Sequence, residues 1–209
     1  MKSTRMVVRA VALSAALSAG ASAGLINIMS DVGDTVGDAG VTFTGTVDYI
    51  FNGGTSGTLN VSLTNTSATL GGLITGFVFN AGDSGVTASL TSTNFPLFVN
   101  LVNPNGAPFG SPFVGGAALG GNFEGGGNPN NGIGLGQTGN FVFAVNGANA
   151  GVIDSSTFLT GPYDFNFIVR FRATNGPQGS SKAPATFVPA PGAASLALAG
   201  LAAGLRRRR

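Results

Sequence analysis

The chain has 209 residues, of which 9% are charged and 35 are glycine, with no His, Cys or Trp. A thiol nucleophile, a disulfide, an imidazole base and a Cys/His zinc site are therefore all excluded, and the length fits one domain with processing signals. The formal charge of +2 belongs to the ends: between them three cations face all eight acids, a net of −5. A body of that sign repels a phosphate backbone, so no nucleic-acid partner is expected.

Residues 1–23 read as a secretory signal that would form a helix and be cleaved. Lys2, Arg5 and Arg9 supply the positive start, Ala10 to Gly20 a short apolar run, and Ala21-Ser22-Ala23 a cleavage site before Gly24. Export leaves the mature chain to stand on its core and hydrogen bonds without a covalent staple. Next come Asp31, Asp34 and Asp38, three acids in eight residues with two glycines. Ca²⁺ takes several oxygens on a bent chain, so these three are the candidate ligands; the competing reading is a solvated acidic turn.

From Val41 onward the pattern alternates. Val41, Phe43, Val47, Tyr49 and Phe51 are set against Thr42, Thr44, Thr46 and Asp48. Leu59, Val61 and Leu63 are set against Asn60, Ser62 and Thr64. Leu73 to Asn80 is apolar on both faces and predicts a more central strand. Val86, Ala88 and Leu90 repeat the alternation. Gly115 to Gly139 holds eleven glycines, a length that marks a loop as functional or loose. Its formal G-x-G-x-x-G at Gly134, Gly136 and Gly139 leads into a strand pattern (Phe141, Phe143, Val145), whereas a dinucleotide fingerprint opens a helix. In Asp164 to Arg172, Phe165, Phe167, Val169 and Phe171 are predicted inward. Asn166, Arg170 and Arg172 are predicted outward, where losing a charge costs under about 1 kcal/mol. Thr-rich strands with one wet face and turn dipeptides such as Asn52-Gly53 and Asn146-Gly147 predict an all-β fold, an antiparallel β-sandwich over residues 24–174 with phenylalanines in its core. Residues 175–187, rich in Gly, Pro and Ser, read as a linker.

Residues 188–209 form the tail. Val188-Pro189-Ala190-Pro191-Gly192 is followed by an Ala/Leu/Gly run to Leu205 and then by Arg206, Arg207, Arg208 and Arg209. The run is shorter than the roughly 17–25 residues of a comfortable span, but arginines can snorkel, and four after the run would hold the C-terminus on the cytoplasmic side. A short transmembrane helix is expected here. The layout resembles the PEP-CTERM sorting signal of Gram-negative bacteria: a Pro-Glu-Pro motif, a short apolar helix and an Arg-rich end. Pro189 and Pro191 match, and Ala190 stands in place of the usual Glu. The resemblance implies export, recognition by an exosortase in the inner membrane, processing at the motif, and delivery to the cell surface or extracellular matrix.

The body resembles the exported domains that often precede such tails, through Leu63-Thr64-Asn65-Thr66-Ser67, Thr75-Gly76-Phe77, Gly121 to Gly127, and Val169-Arg170-Phe171. These motifs are structural and carry no assigned activity. The acids, Asp31, Asp34, Asp38, Asp48, Asp83, Glu124, Asp154 and Asp164, fall mostly at turn signals, and Lys182 is the single lysine past the signal. No enzyme activity and no cofactor beyond the candidate Ca²⁺ is expected. Two functions remain open: a non-catalytic surface or matrix protein sorted by its tail, and a carbohydrate-binding module for extracellular polysaccharide. The scarcity of exposed aromatics (Tyr49 is predicted inward) favours the first.

Overall fold

A computed structural model describes residues 24–67, 72–82 and 85–188. The predicted signal (1–23) and the tail from residue 189 lie outside the described residues. Among those residues the fold is all-β and antiparallel, with two short 3₁₀ turns and no α-helix. The strands are β1 (Ile26–Ser30), β2 (Val36–Gly37), β3 (Phe43–Gly53), β4 (Ser56–Asn65), β5 (Leu73–Phe79), β6 (Thr87–Thr93), β7 (Phe98–Val102), β8 (Gly115–Leu119), β9 (Thr138–Asn146), β10 (Phe167–Arg172) and β11 (Ser180–Val188).

The expected two-sheet sandwich is instead one continuous 11-stranded sheet, nearly closed into a barrel, in the order β6-β9-β4-β3-β1-β11-β10-β5-β8-β7, with β2 alongside β11. The strand that joins the halves is β11. Its first half pairs with β10 (Ile168 opposite Pro184) and its second half with β1 (Ser30 opposite Ala185). The two ends of the path, β6 and β7, are consecutive in the chain, and across that seam the Leu90 amide donates to Asn100 Oδ1 at 2.7 Å. Register shifts in β3–β4, β5–β10 and β6–β9 mark local bulges, which bend strands and tighten their twist.

Placing β11 inside the sheet overturns the predicted linker over 175–187. The inward residues of its first half are Ser181 and Ala183, both buried. They are too small to give a hydrophobic alternation, so the segment reads as loop. Its strand character comes from partners on either side.

Inward residues fill the interior as the alternation predicts, except Phe51, which lies past the buried part of β3 and is 46% exposed. Phe43, Val47 and Tyr49 of β3, Leu59, Val61 and Leu63 of β4, Phe141, Phe143 and Val145 of β9, and Phe167, Val169 and Phe171 of β10 are all buried. Rings from opposite walls meet, Phe77 lying 4.8 Å from Phe141 edge-on and Phe79 5.1 Å from Phe143, while Phe77 stacks on Phe167 of the adjacent strand at 5.7 Å. Such pairs add about 0.5–1.5 kcal/mol each beyond their burial. The ring of Tyr49 passes over Gly57, where any Cβ would stand 2.1 Å from its hydroxyl, and that hydroxyl donates to the Ala150 carbonyl at 2.7 Å.

A second apolar cluster lies on the outside of the β10–β5–β8–β7 wall. Val78, Leu101, Phe113, Ala118, Phe123 and Ile168 are buried there, under Phe109, Tyr163 and Phe165. This layer is why β5 is apolar on both faces. It also corrects the reading of residues 165–172. Phe165 precedes β10 and is half-buried in the outer layer, and Asn166 is buried, not solvated.

Candidate functional site

Three cations occur among the described residues, Arg170, Arg172 and Lys182, and all three are spent on the glycine-rich loop after β8. Arg170 Nη1 donates to the Phe123 carbonyl at 2.5 Å. Arg172 Nη1 donates to the carbonyls of Gly126 and Gly127 at 2.6 and 3.1 Å. Lys182 Nζ sits on the Glu124 carboxylate at 2.6 Å, donates to the Ala107 carbonyl, and lies 5.5 Å from the centre of the Phe123 ring. Burial pulls the Arg170 pKa down; Glu124 nearby opposes that and Arg172 adds to it. The loop can follow this path because Gly120 has φ of +71° and lies so close to the returning chain that a Cβ would meet the Gly127 nitrogen at 2.4 Å. The expectation of exposed Arg170 and Arg172 fails for this reason: the outer face of β10 is roofed, and the roof is the glycine-rich segment read as a functional or loose loop. Gly139, the last glycine of the formal fingerprint, lies within β9.

Beside the roof an open groove of about 430 Å³ is lined by Pro108, Phe109, Pro162, Tyr163, Asp164 and Phe165. The Phe109 and Phe165 rings meet at 5.7 Å and 90°, and the Tyr163 hydroxyl is fixed on the Pro112 carbonyl at 3.2 Å. Its floor is tied by buried amides: Asn166 Nδ2 donates to the Tyr163 carbonyl at 2.6 Å, and Asn80 Nδ2 donates to Asn166 Oδ1 at 3.0 Å. Pro108 also borders a smaller pocket of about 170 Å³ that includes Gln178, Ser180 and Lys182. Ring faces, prolines and one carboxylate on a rigid floor are chemistry that suits stacking on a sugar ring with hydrogen bonds to its hydroxyls. Sequence reasoning counted tryptophans and tyrosines and passed over this site. The available signal was the pair of Pro-aromatic steps, Pro108-Phe109 and Pro162-Tyr163, brought together by loops distant in sequence.

The three candidate calcium ligands are not brought together. Asp31 accepts from the Gly33 amide at 3.0 Å in a local turn, and Asp34 is exposed. Asp38 is buried. Its carboxylate accepts from Thr174 Oγ1 at 2.5 Å and from the Gln178 amide at 3.0 Å, and its carbonyl accepts from Ser181 Oγ at 2.5 Å. The Thr174 hydroxyl holds the Asp38 pKa below its ordinary value, with backbone amides adding to this and burial opposing it. Asp38 is therefore a tie between β2 and the turn before β11. Among the described residues no group of three or more acids, His or Cys could hold a metal. Asp154 likewise serves structure: burial raises its pKa, and hydrogen bonds from Ser156 and Thr157 outweigh that as it caps the turn Ser155–Leu159.

Of the predicted processing residues, Gly24 is exposed just before β1, and Val188 is the last residue of β11. Ala21, Ala23, Pro189, Ala190, Pro191, Gly192 and Arg206 to Arg209 lie outside the described residues. Comparison of the chain with protein-family models, with curated proteins and with solved structures finds no match.

Proposed function

We propose that this chain is a non-catalytic, exported surface or extracellular-matrix protein whose C-terminal tail is its sorting element, handled by an exosortase-like enzyme. One observation carries the reading: the order Pro189-Ala190-Pro191, apolar run, Arg206 to Arg209 at one end of a chain whose other end has the layout of a secretory signal. In the body, the three cations and the buried Asp38 of the described residues are engaged in holding the fold. In this reading the precursor is held in the inner membrane by residues 192–205 and then transferred to the cell surface or matrix. The decisive measurement is mass spectrometry of the mature C-terminus in wild type and in Pro189→Ala/Pro191→Ala. A new C-terminus near the motif in wild type and an uncleaved, membrane-bound precursor in the variant are expected. Normal surface delivery of the variant would reduce the tail to a plain anchor.

A second reading, a carbohydrate-binding module for extracellular polysaccharide, is favoured by one observation, the aromatic groove at Pro108, Phe109, Tyr163 and Phe165. A glycan array probed with the mature chain tests it. Reproducible binding that disappears in Phe109→Ala/Phe165→Ala supports the module, and an array without signal removes it.

A further inference from the structure

We propose that the end of the barrel from which the chain leaves is seated in the interface of the bilayer that holds the tail; the proposal rests on the membrane-anchored precursor described above. Strand β11 runs to Val188, paired with Asn27 of β1, so the mature N-terminus and the tail leave side by side. Only Pro189-Ala190-Pro191 separates that strand from the apolar run, and three residues reach about 10 Å when fully extended. A run lodged in the bilayer therefore draws the strand end to the membrane surface, with no linker to hold the domain away.

The register identifies what else lies at that end. Ile26 is opposite Val47 and Ile28 opposite Phe187, so the start of β1 and the ends of β3 and β11 point the same way. There the large apolar side chains are uncovered: Leu25 is 56% exposed, Ile50 49%, Phe51 46% and Phe187 50%. Val152 is 83% exposed, in the loop whose Gly151 lies against the Phe51 ring. The side chains of segments 24–30 and 183–188 carry no charge; the charges here are the α-amino group that cleavage before Gly24 leaves and Asp48, half-buried on β3 two residues before Ile50. Asp154, two residues from Val152, is turned onto Ser156 and Thr157. The opposite end, at the close of β1, presents Asp31 and the exposed Asp34 on either side of the exposed Val32. A body with a net charge of −5 is repelled by anionic lipid least where apolar side chains cluster and acids are few, and the end the chain leaves from is such a place.

The absence of cysteine makes the test direct. Single variants Ile50→Cys, Val152→Cys and Phe187→Cys at this end, and Val32→Cys and Leu135→Cys on exposed positions elsewhere, are labelled with a polarity-sensitive dye. The tail-bearing precursor, residues 24–209, is then reconstituted in phosphatidylcholine vesicles with a minor phosphatidylglycerol fraction. The expected result is co-sedimentation of every variant, with a blue shift and protection from an aqueous quencher at the first three sites only. Co-sedimentation with dyes equally aqueous at all five sites overturns the seat and leaves the anchor standing. A chain that does not sediment with vesicles overturns both.

Discussion

The two outer walls of this barrel obey the same alternation and end in opposite environments. On β3, β4 and β9 the outward residues form cross-strand rows of small polar side chains, Thr44–Thr64–Thr138 and Thr46–Ser62–Asn140, half-buried or exposed, with the Thr64 and Thr138 hydroxyls 2.8 Å apart. On β5, β8 and β10 the outward residues are Val78, Ala118, Ile168 and Arg170, and loops close over them. Period-2 patterning reports which residues share a face. It does not report whether a distant loop will roof that face. The polar rows need only water, whereas the second wall needs a cover and cations to pin it.

The largest effect tests what the two walls share. Phe167→Ala removes a fully buried ring that stacks on Phe77, which in turn meets Phe141 of the opposite wall, and is expected to cost about 3–5 kcal/mol in urea unfolding. A loss under about 1 kcal/mol would mean that the interior is not the close-packed meeting of both walls. The next test separates them. Arg170→Ala strips the Phe123 carbonyl of its donor under the roof and is expected to cost about 1–3 kcal/mol, while Asn60→Ala on the wet wall stays within about 0.5 kcal/mol. Hydrogen exchange should rise across residues 120–127 in Arg170→Ala alone. Equal effects at Arg170 and Asn60 would erase the distinction between the walls.

Legibility in the sequence follows the same division. Strands β3, β4, β9 and the core of β10 are readable because large apolar residues alternate with Thr, Asn and Ser on a wet face. β8 (Gly-Gly-Ala-Ala-Leu) and β11 (Ser-Ser-Lys-Ala-Pro-Ala-Thr-Phe-Val) are not, because close approach to neighbouring strands selects small residues that resemble loop composition. Gly116 illustrates the cause: a Cβ there would meet the Phe77 carbonyl at 2.1 Å. Arg170 was misplaced because a charge on a strand is normally a solvent mark, and its partners are backbone carbonyls, which no sequence pattern displays. The aromatic groove depends on loops 108–109 and 162–165 meeting, a tertiary event with no local period.

Asp38 extends the comparison to the tie beside the roofed wall. Its folded pKa lies below the ordinary 3.8, so the folded state binds its proton less readily than the unfolded chain. The stability it contributes is complete above the unfolded pKa and is lost as pH falls through the folded value. Asp38→Asn is therefore expected to lower the urea midpoint at neutral pH, with the gap from wild type closing below about pH 4. A gap that is constant with pH would show that the charge of Asp38 contributes nothing and that its hydrogen bonds to Thr174 and Gln178 work equally well from a neutral group.

The smallest effect is the sharpest probe of what holds the roof. Glu124→Gln removes the charge opposite Lys182 and keeps the side-chain length. That pair is partly exposed, and such pairs contribute about 1 kcal/mol or less. Lys182 keeps the Ala107 carbonyl and its place over the Phe123 ring, so the ammonium is not left alone. The backbone carbonyls that receive Arg170 and Arg172 are untouched. The variant should lose under about 1 kcal/mol, and its deficit should shrink further in high salt, where exposed charges are screened. Arg170→Ala, whose donor serves a neutral carbonyl under cover, should keep its full cost in the same salt. If the two variants respond to salt alike, the roof is held by general charge attraction to the loop and not by the specific donation from Arg170 to Phe123.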